Sequence, residues 1–328
     1  MWPLIKILPV KTNFRFVAFS KYAGAISILL AIGSLFMAIY PATPPCGGLN
    51  CGIDFKGGTL LEFSTPGPAN LGAIRQALAA QGVGDPQVQG FATPDDPSGA
   101  RHVSTRFEPG ENPAQKVEQV KAAIEKVAGV DDKAFTRTEV VGPKVSSELF
   151  TGGIIALLAA IGLMLLYIWF RFELQFGLGA VVALFHDVFL TFGMIAVFKL
   201  EFSLTTVAAI LTIIGYSMND TVVVFDRLRE NMRKYKKMPM REIIDLSINE
   251  TLSRTVITGL TAIIALGGLA VFGGDALYGF SIIMIFGIAL GTYSSIYVAA
   301  PIILLWNGGK RKEDTEAEVQ ILGPASRA

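Results

Sequence analysis

The run GYSMNDTVVVFDRLREN sets a carboxylate, Asp220, inside a segment that should cross a membrane. Uncharged, mostly apolar residues precede it from residue 203 onward, and Val222, Val223, Val224 and Phe225 follow it. An ionised carboxylate at the centre of a membrane helix costs ~2.5–3.5 kcal/mol even on insertion-based scales. It is retained only where it faces a protein interior or a wet cavity and has a partner. The partner offered by the sequence is Arg254, in SINETLSRTVITGLTA, where the chain re-enters the membrane. Asp220 lies seven residues inside Arg227, ~10 Å along a helix, and the long Arg254 side chain can reach inward to that depth. Thr212, Tyr216 and Asp220 recur every four residues, and Arg254, Thr258 and Thr261 follow an i, i+4, i+7 pattern, so each set is predicted to form one helix face. An acid and a base at similar depth on consecutive helices predict proton handling. The competing reading is a static buried ion pair, or an arginine that snorkels to the interface. A second carboxylate, Asp187 beside His186, falls ~18 Å from Gln175, close to the midplane. It is read either as a further proton-relay group or as glue hydrogen-bonded to Thr191 or to a neighbouring helix.

The elements that must hold these residues follow from hydropathy. The 328 residues are 52% hydrophobic and only 17% charged, which selects a polytopic α-helical membrane protein with one modest soluble portion. Six apolar runs are long enough to cross ~30 Å of hydrocarbon: 22–40, 149–170, 176–198, 203–225, 256–272 and 277–306. Lys6, Lys11, Arg15 and Lys21 precede the first run. Seven Lys and Arg residues from Arg227 to Arg241 lie between the fourth and fifth, and Lys310, Arg311 and Lys312 follow the last. All three groups fall on one side of a six-span layout, which predicts both termini in the cytoplasm. The expected organisation is therefore a cytoplasmic N-terminus (1–21), a first helix (22–40), an exported domain (41–148), a five-helix membrane domain (149–306) and a cytoplasmic tail (307–328). A basic cytoplasmic loop is expected over about 226–254. The first run is longer than a signal-peptide core and no A-x-A site follows it, so it is read as a retained anchor. Pro45 also argues against lipoprotein cleavage before Cys46.

Between the first two spans, TLLEF, VQGFA, RHVSTRF and AFTRTEVVG have strand composition, while NLGAIRQALAAQG and NPAQKVEQVKAAIEKVAG have helical spacing. The order β-α-β-β-α-β predicts a ferredoxin-like α+β domain, outside the cytoplasm, with Gly82 as a helix stop and a turn around Pro94, Asp95, Asp96, Pro97 and Gly99. His102 is read as an exposed strand residue. In GIDFKGGT, Lys56 precedes the glycines and no helix is expected after Gly58, so this is a turn needing φ > 0 rather than a phosphate loop. Cys46 and Cys51 are either a local disulfide pinning the neck or two unpaired thiols. Two cysteines and two histidines are too few for a multi-ligand metal site, and no cofactor, covalent chemistry or nucleic-acid partner is expected. Gly287, Gly291, Ser295 and Ala299 form a ladder of small residues, as do Gly152, Ala156 and Ala160; both are read as helix-packing seams, with a partner subunit as one candidate for the other side.

With these residues placed, the chain resembles the SecF family, membrane subunits of the bacterial protein-export accessory complex. GIDFKGGT after the anchor, VGPKVSSEL before the second span, HDV in the third, GYSMNDTVVVFDRLREN in the fourth, TLSRTVITGLT opening the fifth and TYSSIYVAAP in the last carry the likeness. The resemblance implies a SecD-like partner with a larger exported domain and kinship with proton-driven efflux pumps. It implies use of the proton motive force to assist late translocation of preproteins through the Sec channel. It makes Asp220 the essential membrane aspartate, Arg254 its nearby arginine and Asp187 part of a less defined motif; Cys46 and Cys51 belong to no such motif. Two other classes stay open: a proton-coupled small-molecule or lipid efflux subunit, and a structural scaffold.

Overall fold

The computed structural model describes residues 12–42, 45–91, 96, 98–108, 112–273 and 275–305. The expected tail (307–328), the first eleven residues with Lys6 and Lys11, Lys310, Arg311 and Lys312, Trp306, and Pro94, Asp95 and Pro97 of the expected turn lie outside the described residues. Among the described residues, six helices are long and apolar enough to cross a membrane. These are α1 (Phe16–Ile39), α5 (Pro143–Arg171), α6 (Leu174–Val197), α7 (Leu204–Lys234), α8 (Met240–Phe272), and a final span made of α9 (Asp275–Ser294) with its continuation. That last span passes through a π-helical turn at Ser295–Ala299 and runs on to residue 305.

Between α1 and α5 lies the α+β domain. After β1 (Asn50–Cys51) and the single-turn α2 (Ile53–Lys56) come β2 (Gly58–Ser64), α3 (Leu71–Ala80), β3 (Gly84–Phe91), β4 (His102–Glu108), α4 (Pro113–Ala128) and β5 (Phe135–Val141). The strands form an antiparallel sheet in the order β3-β4-β2-β5, the ferredoxin-like arrangement predicted by the β-α-β-β-α-β order. Leu61, Phe63, Val103 and Phe107 project from the sheet onto Ile74, Leu78, Val120 and Ile124 of the two helices. Each such buried side chain contributes ~1.5–3 kcal/mol relative to exposure. Asn70 caps α3 by accepting from Ala73 N, Gly82 ends the turn after it at φ 68°, and Gly129 ends α4 in the left-handed region at φ 67°.

GIDFKGGT is the joint between this domain and the helices. Gly57 and Gly58 take φ of 76° and 120°, as the turn reading requires. β1 pairs in parallel with β6 (Glu201–Phe202), just before α7. Asp54 accepts from Leu204 N at 2.9 Å, meeting one of the free amides that open α7. Phe55 packs between Phe150 and Phe202. From the far side, Arg106 on β4 makes an ion pair with Glu201. Burial pushes the Glu201 carboxyl up, opposed chiefly by the Arg106 charge. The Cys46 and Cys51 sulfurs lie at bonding distance, with their Cα atoms 5.9 Å apart.

In the bundle, α6, α7 and the final span are the inner helices: 61%, 50% and 56% of their apolar windows are buried, against 6%, 11% and 11% for α1, α5 and α8. The expected basic loop at 226–254 is mostly helical. Residues 226–234 continue α7 and 240–254 open α8, leaving 235–239 as the connection. The reason is an amphipathic pattern hidden among charges. Ile243, Ile244 and Ile248 are buried in the same core as Leu228, while Asn231 donates to Ser247 and Glu250, and Arg227 to Glu250, across the hairpin. Asp245 and Asn249 of α8 also accept from Val17 N and Phe14 N, fixing the start of α1.

Candidate functional site

α7 and α9 come close because glycine removes the side chains between them. A Cβ on Gly287 would fall 2.3 Å from Ile213 Cδ1, and one on Gly291 would fall 3.0 Å from Ser217 Cβ. The predicted ladder on the last span is therefore a seam within this chain. Gly152 is different: nothing lies within 4 Å of where its Cβ would be, and its neighbour Gly153 is the one that meets Phe55 and Val207.

This close approach gathers the membrane carboxylates into one cluster of hydroxyls. Asp187, 1% exposed, takes His186 Nδ1 on Oδ1 at 2.8 Å, and Ser217 and Ser294 on Oδ2, the latter at 2.7 Å. Asp220, 8% exposed, accepts from Thr255 Oγ1 at 2.6 Å on Oδ1 and from Ser295 Oγ at 2.9 Å on Oδ2. Ser294 and Ser295 are consecutive, ~100° apart around a helix of 3.6 residues per turn, so one faces Asp187 on α6 and the other Asp220 on α7. The switch to a π-helical turn begins at that pair. Ser217, which donates to Asp187, lies three residues before Asp220 on α7, ~4.5 Å away along that helix. Two buried polar atoms at the edges of the cluster, His186 Nε2 and Thr221 Oγ1, have no partner among the described residues.

The expected contact between Asp220 and Arg254 is not made. Arg254 is exposed, and Thr258 and Thr261 share its outward face; α8 instead presents Thr251, Thr255 and Gly259 inward. A Cβ on Gly259 would lie 3.6 Å from Ile288 and 3.9 Å from the Tyr216 hydroxyl, so this is the packed face. Among the described residues Asp220 takes its side-chain hydrogen bonds from Thr255 and Ser295 and none from Arg254. Thr212, the outer member of the predicted α7 stripe, is likewise exposed and donates to Ala208 O of its own helix, while Tyr216 is half-buried. Asp187 does hold Thr191, through its backbone carbonyl at 2.7 Å. Ser295, expected only as a packing residue, binds Asp220 directly. Ser217, Ser294 and Thr255 escaped notice in the sequence, although Thr251, Thr255 and Gly259 repeat every four residues and could have marked the inward face.

A hydroxyl can donate to a carboxylate or accept from a carboxylic acid, whereas an arginine only donates. The two aspartates can therefore be charged or neutral without breaking the network that holds them. Hydrogen bonds to an ionised partner contribute ~1.5–3 kcal/mol each, so the hydroxyls offset much of the desolvation of a buried carboxylate.

The family profile described as "Protein export membrane protein SecD/SecF, C-terminal" matches residues 119–309. The chain is 43% identical over 318 residues to the protein translocase subunit SecF of Rhodobacter capsulatus, covering 94% of this chain and 93% of that one. It is 40% identical over 313 residues to SecF of Rickettsia bellii, covering 94% and 98%. Among solved structures, SecDF from Thermus thermophilus, described as a translocon-associated membrane protein, superposes with a TM-score of 0.79 at 32% identity. That match covers 92% of this chain, which spans 40% of the SecDF chain. With the six-helix layout, the ferredoxin-like domain and these likenesses along nearly its whole length, the chain belongs to the SecF family of protein-export membrane proteins.

Proposed function

We propose that this chain is the SecF-like half of a membrane machine that, with a SecD-like partner, uses the proton motive force to assist late translocation of preproteins through the Sec channel. The observation that carries the proposal is the hydroxyl-held pair Asp187 and Asp220, two buried carboxylates whose partners accept either protonation state. In this reading Asp220 takes up and releases protons, Ser295 and Ser294 link it to Asp187, and Arg254 biases its charge through space while facing the partner. An ionisable residue deep in a membrane is by default a functional-site hypothesis. Moving one charge through 100 mV supplies ~2.3 kcal/mol, comparable to one or two of the hydrogen bonds that would have to rearrange.

α7 is the mechanical link. It carries Ser217 and Asp220 in the bundle, and its first amide is held by Asp54 of the joint below the α+β domain. A shift of α7 would thus reach the domain directly. Arg227, Arg229, Arg233, Lys234, Lys236, Lys237 and Arg241 cluster at the end of the bundle away from that domain, which supports a cytoplasmic placement of that end and an exported α+β domain.

The test is reconstitution of the chain with its partner and the translocation channel in proteoliposomes, with and without a proton gradient. Asp220→Asn keeps shape and hydrogen bonding but cannot titrate. It should assemble normally and lose the gradient-dependent part of export. Thr255→Val should reduce that part and Thr255→Ser restore it. Full gradient-dependent export by Asp220→Asn would end the proton-relay reading and leave the cluster a structural one.

A further inference from the structure

A groove of about 1100 Å³ runs along the outside of the bundle between α1, α6 and the last turns of the final span. Its walls are mostly apolar, with Ile28, Ile32 and Leu35 on α1 and Val182, Phe185 and Phe189 on α6, interrupted by Ser20, Ser27 and His186. The two helices are in tight contact near the domain end, where a Cβ on Gly193 would overlap Ser34, and the groove opens from there toward the opposite end. From Leu35 to Lys21 it follows α1 for ~21 Å, longer than the ~15 Å depth of one leaflet of hydrocarbon.

At the open end the lining changes character. Lys21 from α1 and Arg241 from the start of α8 both line the groove there. They are at the same end of the bundle, because Asp245, one turn after Arg241, accepts from Val17 N, one turn before Lys21. Both are exposed, and neither makes an ion pair among the described residues, although the neighbouring cations Arg171 and Arg227 are matched with acids. A mostly apolar channel long enough for one leaflet, ending in two cations with no ion pair among the described residues, is complementary to an acyl chain attached to an anionic headgroup.

We propose that this groove is a binding site for one anionic phospholipid, with an acyl chain along Ile28, Ile32 and Leu35 and its phosphate between Lys21 and Arg241. A free phosphate could meet the cations but would leave the apolar walls exposed, and a zwitterionic lipid would fill the walls but bring no net charge to the cations. The groove meets the carboxylate cluster through His186, which lines it and holds Asp187, but Lys21 and Arg241 at its open end take no part in that cluster, so the site does not depend on the proton-relay reading.

The full chain, purified in detergent and stripped of lipid, is titrated with phosphatidylglycerol and with phosphatidylcholine of the same acyl chains, and bound lipid is counted by native mass spectrometry. The wild type should retain one phosphatidylglycerol in preference to phosphatidylcholine. Lys21→Ala/Arg241→Ala should reduce that preference ~30-fold, five- to sixfold for each interfacial cation. Ala31→Trp, which fills the groove and leaves both cations, should abolish retention of either lipid at the site. Arg233→Ala/Lys237→Ala removes two exposed cations elsewhere on the same end and should leave the preference intact. Equal loss in that control would reduce the effect to general surface charge, and an unchanged preference in Lys21→Ala/Arg241→Ala would overturn the site. Displacement of the lipid by inorganic phosphate at matched concentration would also overturn it, since phosphate cannot occupy the apolar walls.

Discussion

Gly291→Ala and Gly152→Ala are the same chemical change at two mid-helix positions, and the structure gives them opposite consequences. In both, replacing glycine reduces the freedom of the unfolded chain and favours the helix by ~0.8–1.0 kcal/mol. At Gly152 nothing lies within 4 Å of the added methyl, so that gain stands alone. At Gly291 the methyl would sit 3.0 Å from Ser217 Cβ and 3.1 Å from Ser217 Cα. The nearer atoms belong to or adjoin backbone and cannot rotate away, so α7 and α9 must separate by a few tenths of an ångström. Overpacking of this kind costs ~1–3 kcal/mol, which cancels or outweighs the helix gain. Because the propensity contribution is common to both variants, their difference isolates the packing cost, ~1–3 kcal/mol in favour of Gly152→Ala. The separation also draws Ser217 away from Asp187 and Ser294, so Gly291→Ala should lose gradient-dependent export to a greater extent than its stability loss explains. The assay is reversible denaturant unfolding in mixed micelles, followed by tryptophan fluorescence, alongside export in proteoliposomes. A Gly291→Ala protein as stable as Gly152→Ala would refute the claim that close approach of α7 and α9 forms the carboxylate cluster.

Three further outcomes are expected. Arg106→Ala leaves the largely buried Glu201 without its cation; the loss, discounted because a third of the Glu201 side chain is exposed, should be ~1–2 kcal/mol and should appear as faster hydrogen exchange at the start of α7. Arg106→Met/Glu201→Leu should recover most of it, and failure to recover would mean that the ion pair is not the link. Asp96 is held below its ordinary pKa first by the Ser98 hydroxyl and then by Arg101 N, so its contribution is complete above the unfolded carboxylate pKa and is lost as pH falls through the lower folded value. Asp96→Asn should accordingly lower domain stability at pH 7, where the contribution is complete, and flatten the acid limb below about pH 4, where the wild type has already lost it. Finally, Val127→Cys, 45% exposed on α4, should react with a membrane-impermeant maleimide in intact spheroplasts; reaction only after lysis would reverse the proposed orientation.

Most of the architecture was legible from one dimension because its signals are local and periodic. Long apolar runs marked the spans, and alternation at TLLEF and RHVSTRF, 3.6-residue spacing in α3 and α4, and Gly82 as a stop defined the α+β order. GIDFKGGT could be recognised as a positive-φ turn from the place of its lysine, but its role as a clamp on α7 could not, since Leu204 lies 150 residues from Asp54. The hairpin joining α7 and α8 was hidden because charged residues dominate its composition while three buried isoleucines determine its conformation.

The site shows where sequence stops. That Asp187 and Asp220 sit in the membrane and need partners follows from desolvation alone, and Asp220 was found that way. Which partners they take depends on the rotation of each helix about its axis. Arg254 and Thr255 differ by one residue and therefore by ~100° of azimuth, and both are plausible neighbours for a carboxylate in a list of residues. Charge made Arg254 the natural choice. The packing of Gly259 toward Ile288 and Tyr216, and of Gly287 and Gly291 against Ile213 and Ser217, turns Thr255 inward and leaves Arg254 outside. Helix phase is set by steric fit between elements far apart in the chain, so only the tertiary structure could decide it.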